Sequence, residues 1–168
     1  MKYKEINIET VGLSPAVFNS WSELFEKRVP LLKSNYLKVL SKYLKEEYKI
    51  NKGRVFPIRS TDIFRAFYET NYSDVKVVVI GSEPYRNSKA NGVAFACKNV
   101  LSVSKSMTEL LLTVRNGEQF KKDEGVDDFD LTLKGLCSQG VLFLNTSLTS
   151  SFYSRHSYNK EWKEKLLT

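Results

Sequence analysis

"KVVVIGSEPYRNSKANGVAF", residues 76–95, opens as an apolar, β-branched run and turns polar within a few residues. Residues 76–80 have the length and composition of a strand, and so continuous an apolar run predicts cover on both faces. Glu83, Pro84, Tyr85 and Arg86 follow at once, placing a carboxylate, a rigid turn, a phenol and a guanidinium at one rim of a sheet. "GVAFAC" (92–97) reads as a second short strand and "VLFLNTSLT" (141–149) as a third, which again begins apolar and becomes polar. In open α/β sheets, ligands bind beyond the carboxyl ends of the strands. On that rule Glu83, Tyr85, Arg86 and Asn145 converge on one pocket, with Phe95 as its floor. An amide offers a paired donor and acceptor and a phenyl ring stacks on a flat ring, so the set suits a hydrogen-bonding heterocycle.

The flanking segments read as helices. Phe18, Trp21, Leu24 and Phe25 share a face; Pro30 interrupts, and Tyr36, Leu37, Leu40, Tyr43 and Leu44 resume the period. "NKGR" (51–54) stops that helix. "STDIFRAFYET" (60–70) opens on an N-cap, Ser60 or Thr61, with Ile63, Phe64 and Phe67 as a core stripe. Further helices are predicted over 106–116, over 131–139 with Gly140 as the stop, and in "NKEWKEKLL" near the end; 117–130 reads as a charged loop. Helices alternating with short buried strands predict an α/β domain with a parallel sheet.

At 168 residues the chain is long enough for one domain with a substantial core. Its 26 Lys and Arg against 19 Asp and Glu give a formal net charge of +7. Two readings of that surplus stand: a polyanionic partner such as nucleic acid, or a solvated basic surface. Cys97 and Cys137 lack metal-ligand spacing and sit in apolar contexts, which predicts small buried hydrophobes and no metal. With no signal-peptide core and no apolar run of membrane-spanning length, an intracellular protein is expected, cytoplasmic or nucleoid-associated, with no membrane partner.

Several ordered segments, from about Phe18 onward, resemble the family-1 uracil-DNA glycosylases. "GSEPY" (81–85) stands where that family has Gly-Gln-Asp-Pro-Tyr, "NGVAF" (91–95) at its stacking phenylalanine, and "SM" (106–107) at a Ser-Leu helix start. "SQGVLFLNTSLT" (138–149) is similar to Gln-Gly-Val-Leu-Leu-Leu-Asn-Thr-x-Leu-Thr, and "HSYNKEW" (156–162) to the segment that opens the next helix. The resemblance implies a three-layer α/β/α glycosylase-like fold, a metal-free and cofactor-free site, and DNA as partner to a monomer. It implies that Glu83 assists the attacking water, that Tyr85 crowds the C5 side of the base, that Phe95 stacks on it and that Asn145 reads its polar edge. Ser82 joins the base-binding set in place of the family's glutamine. The resemblance also implies that Ser106 contacts a phosphate and that His156 is structural, and the charge of Arg86 adds it to the expected DNA contacts.

The departures shape the expectation. Glu83 replaces aspartate, Arg86 replaces histidine, and "LSVSKS" (101–106) lacks the family's prolines. Arg86 can pair with Glu83, hold a phosphate or stabilise a leaving anion. The family's late His-Pro-Ser-Pro-Leu segment and final strand have no counterpart before Thr168. A fold short of its C-terminal part is therefore expected, with a sheet edge that a partner could cover. The function implied is a divergent glycosylase that flips uracil or a modified pyrimidine and hydrolyses its N-glycosidic bond. Two alternatives stand beside it: a catalytically impaired DNA-binding relative, and a glycosyltransferase acting on a modified pyrimidine in DNA.

Overall fold

The structure, a computed structural model, describes residues 15–24, 36–51, 53–97, 104–114, 130–153, 158 and 162. Pro15–Trp21 forms a 3-10 segment kinked at Asn19 (φ 53°), so the amphipathic stripe read as one helix is broken there. Phe18 and Trp21 are nonetheless buried, because a kinked turn still points both rings inward. Helix α1 (Tyr36–Ile50) buries Leu40, Leu44 and Tyr48 along one face. Strand β1 (Val55–Phe56) follows, then a 3-10 turn (Ser60–Asp62) and the short helix α2 (Ala66–Glu69). The predicted helix over 60–70 is thus two short pieces. Its expected cap at Ser60 or Thr61 does not form: Arg59 is the cap residue of the 3-10 turn, and no side chain bonds there.

Strand β2 (Val77–Gly81) pairs in parallel with β3 (Val141–Asn145), in a register that sets Val77 beside Val141 and Gly81 beside Asn145. Helix α3 (Lys105–Val114) and helix α4 (Lys134–Ser138) lie between them in the chain. β4 (Ser150–Ser151) pairs antiparallel with β1. The polar tail predicted as part of the third strand therefore leaves β3 at Asn145, bends, and joins a separate ladder.

β3 shows how the layers are built. Its side chains alternate between faces, so Leu142 enters a cluster with Phe18, Trp21, Leu40, Leu44 and Phe67, while Phe143 enters one with Val93, Met107, Leu111 and Cys137. α1 and α2 cover the first face; α3 and α4 cover the second. The architecture is α/β with helical cover on both faces of a short parallel sheet.

Two expectations about strands are corrected. Residues 92–97 form turns instead of a strand, since the Asn91 side chain accepts the Val93 amide proton at 3.0 Å and the Ala96 amide donates back to Val93 at 3.3 Å. These local bonds take up the groups a ladder would use. β2 is not covered on both faces either: Val77, Val78 and Ile80 are 52%, 51% and 55% exposed. Among the described residues β2 has a ladder partner on one side only, the β3 side.

Cys97 and Cys137 are buried free thiols, as their apolar contexts predicted, and burial pushes both thiols up from their ordinary pKa. No described helix is long and apolar enough to cross a membrane. Phe25, Pro30, all of the charged segment 117–130 except Asp130, His156 and nearly all of the predicted last helix lie outside the described residues, as do the side chains of Tyr36 and Leu37.

Candidate functional site

The parallel register brings the carboxyl ends of β2 and β3 to one rim, and hydrogen bonds lock the two exits together. The Gly81 carbonyl accepts the Thr146 amide at 2.9 Å. The Ser82 carbonyl accepts both the Ser147 amide and the Thr146 hydroxyl, each at 2.9 Å. The polar stretch after one apolar run is therefore fixed against the polar stretch after the other.

At this rim lies a cavity of about 680 Å³, lined by Ser82, Glu83, Tyr85, Arg86, Phe95, Ser106 and Asn145 among others. Its size falls within the range of small-molecule sites. Every candidate residue drawn from the sequence reaches this one cavity, across the sheet ends, the 82–95 loop and the first turn of α3.

Asn145 is buried, and among the described residues its side-chain amide has no hydrogen-bond partner. A buried amide with no such partner can offer its donor and acceptor to a ligand. Gly81 makes the room: a Cβ there would stand 2.3 Å from Asn145 Oδ1 and 3.2 Å from the Ala94 Cβ. Glycine at the end of β2 is thus a condition for the amide to occupy its place.

Tyr85 and Phe95 are held in one chain of bonds. The Tyr85 hydroxyl donates to the Phe95 carbonyl at 2.7 Å and lies 2.6 Å from the Ser104 hydroxyl. Ser104 Oγ in turn accepts the Met107 amide at 3.1 Å, capping α3. The proton order that satisfies all four groups runs from Met107 N–H to Ser104 O–H, to Tyr85 O–H, to the Phe95 carbonyl. Burial raises the Tyr85 pKa against the opposing pull of the Ser104 bond, so the phenol stays neutral. Phe95 has a left-handed backbone (φ 66°), which the Tyr85 bond helps to hold.

Gly92 shapes the same wall. With φ at 88°, it passes so close to the Asp62 carbonyl that a Cβ would stand 1.7 Å from that oxygen. The Asn91–Gly92 pair is a turn signature visible in the sequence, although its consequence for the wall depends on Asp62 far upstream. Ser104 and Phe152, which also belong to the site's surroundings, carry no sequence signal: one acts through a cap, the other through the β1–β4 ladder.

Glu83 and Arg86 are both half-buried on the cavity, and Ser106 is exposed at the start of α3. The lining thus joins a carboxylate, a guanidinium, a buried amide, an aromatic residue and a neutral phenol. Among the described residues no group of three or more His, Cys, Asp or Glu is placed to hold a metal ion.

Curated relatives of the chain include the uracil-DNA glycosylase of Borreliella burgdorferi, 33% identical over 131 residues that make up 77% of this chain and 55% of the relative. That of Mesomycoplasma hyopneumoniae is 36% identical over 134 residues, 78% of this chain and 57% of the relative. The chain spans a little over half the length of these relatives. Among solved structures, mimivirus uracil-DNA glycosylase matches with a TM-score of 0.59 at 19% identity, over 95% of this chain and 55% of that one. A variant of mimivirus UNG in complex with UGI matches with a TM-score of 0.70 at 16% identity, over 97% of this chain and 65% of that one. No family model matches the chain.

Proposed function

Since the chain belongs to the uracil-DNA glycosylase superfamily, we propose that its cavity receives a pyrimidine swung out of DNA, uracil or a modified base, and that the site hydrolyses the N-glycosidic bond. The observation that carries this reading is that Asn145, whose side-chain amide has no partner among the described residues, shares one cavity with Phe95 and Tyr85 at the joined ends of β2 and β3. An extruded base needs a stacking surface and a group that reads its polar edge. Phe95 supplies the first and Asn145 the second. Tyr85, pinned through its hydroxyl, crowds the C5 side, and Ser82 completes the lining.

Hydrolysis breaks the bond between the sugar and the base, water adds its oxygen to the sugar carbon, and the base leaves with the electron pair. Positive charge develops on the sugar in the transition state, and a carboxylate beside it stabilises that charge and orients the water. Glu83 is the carboxylate on the cavity. Arg86 and Ser106, with the net charge of +7, support a phosphate grip on the strand. In this reading residues 1–168 act as one domain and a monomer, inside the cell, with DNA as the partner.

The test is incubation with uracil-containing single-stranded and duplex oligonucleotides, followed by alkali and by mass measurement of strand and base. Free uracil and alkali-sensitive strands are expected, with both lost in Glu83→Gln. A second reading has one observation behind it: Glu83 is one methylene longer than the aspartate of the family motif. A chain that binds uracil-DNA in a salt-dependent way and releases no base would be a DNA-binding relative.

A further inference from the structure

Beyond the cavity, its rim carries a feature that base reading leaves unused. The chain leaves β4 at the buried Ser151 and immediately exposes two aromatic rings, Phe152 and Tyr153, each at 60%. Consecutive large apolar side chains held in water beside a cavity mark a binding surface. Phe152 itself lines the cavity, so the pair continues the pocket outward.

The pair is built on a fixed backbone. The Phe152 amide donates to the Arg54 carbonyl at 2.8 Å, extending the β1–β4 pairing, and the Tyr153 amide donates to Ser151 Oγ at 3.2 Å. The two rings meet edge to face, with centroids 6.0 Å apart and planes at 86°. The Arg54 guanidinium carbon stands 5.1 Å from the centre of the Tyr153 ring. A cation held over one ring therefore borders a second exposed ring that faces the cavity mouth.

We propose that Phe152 and Tyr153, with Arg54, form a stacking platform for a base next to the one in the cavity, on a single-stranded or locally unpaired stretch of nucleic acid. This rests on the reading of the cavity as a base pocket. Exposed rings stack on any base, and an adjacent guanidinium meets the phosphate between them, which is the recurrent pairing of single-strand binding surfaces. A protein partner would also use exposed aromatics, but continuity with the cavity, the arginine and the net charge of +7 favour a polyanion with flat rings.

The test uses an oligodeoxythymidylate, whose bases give no uracil to excise, with affinity followed by fluorescence anisotropy at several salt concentrations. Wild type is expected to bind, and Phe152→Ala to bind about 5- to 100-fold more weakly. Phe152→Trp should keep the affinity and Phe152→Leu should fall with alanine, because leucine fills space without a π face. Arg54→Ala should flatten the dependence of log affinity on log salt, while Phe152→Ala leaves the slope unchanged. Equal melting midpoints would confirm that each variant folds. No binding by wild type, an unaltered Phe152→Ala, or leucine as good as phenylalanine would each overturn the platform. If uracil release fails while the Phe152 effect appears, the platform stands and the glycosylase reading falls. If uracil is released and Phe152→Ala binds normally, the reverse holds.

Discussion

The two faces of the β2–β3 sheet are filled by different means. On one, Phe18 meets Phe64 at 5.2 Å and Phe67 at 5.4 Å, both edge to face, and Trp21 meets Phe67 at 5.5 Å. The indole nitrogens there are bonded: Trp21 to the Thr70 carbonyl at 2.9 Å, Trp162 to the Thr149 hydroxyl at 2.7 Å. On the other face the buried residues include Val93, Ala94, Ala96, Cys97 and Met107, and beside them the sheet ends open into a cavity of about 680 Å³. One strand, β3, feeds both through Leu142 and Phe143. Large interlocked rings leave no space, whereas small side chains next to glycine do. The aromatic face holds the sheet in place, while the small-residue face keeps room at its end.

The sharpest way to break that contrast is to truncate one side chain on each face. Phe18, 1% exposed and packed against two rings, should cost ~3–5 kcal/mol when changed to alanine, because its cavity cannot collapse. For a chain of this size that corresponds to a fall of roughly 10 °C in melting midpoint. Cys97→Ala on the other face should cost about 1 kcal/mol, a value typical of small changes. Equal losses in calorimetry would mean that the faces do not divide the work.

Gly81 tests the open face from within. Gly81→Ala sets a methyl group against Asn145 Oδ1 and close to the Ala94 Cβ, an overpacking worth ~1–3 kcal/mol. The amide is the piece that can move, so affinity for uracil-containing DNA should drop at least as far as in Asn145→Ala. A double-mutant cycle isolates the cause: with Asn145→Ala present, Gly81→Ala should lose most of its destabilisation. If the two costs simply add, the glycine is not what makes room for the amide.

What could be read from the sequence follows the same division. β2 and β3 were legible because β-branched and apolar runs of strand length encode them locally. So was the gathering of Glu83, Tyr85, Arg86 and Asn145, since parallel pairing sends both polar tails to one rim. Residues 92–97 misled because the strand pattern was overridden by the Asn91 turn and by Gly92 lying against Asp62, a contact thirty positions distant in the chain. The exposure of Val77, Val78 and Ile80 was equally hidden, as it depends on which neighbours a strand has and not on its own residues. Ser104 escaped notice because a serine that caps a helix and holds a phenol looks, in one dimension, like any other loop serine.

The smallest effect expected is electrostatic, and it separates the faces by pH. Asp130 precedes α4 on the open face, where its carboxylate accepts the Thr132 amide at 3.0 Å, the Gly135 amide at 2.9 Å and the Thr132 hydroxyl. Burial pushes its pKa up, but the bonds from Thr132, Gly135 and the Lys134 backbone outweigh burial and hold it below the usual carboxylate range. A carboxylate whose folded pKa is depressed adds stability above its unfolded value of about 3.9, and that stability is lost as pH falls through the folded value. Because Asp130 is exposed to solvent, the contribution should stay under about 1 kcal/mol. Asp130→Asn should therefore be slightly less stable than wild type at neutral pH and indistinguishable from it in strong acid. Denaturant melts of both proteins across that range measure the convergence, and a constant gap at every pH would show that the loss is one of shape, not of charge.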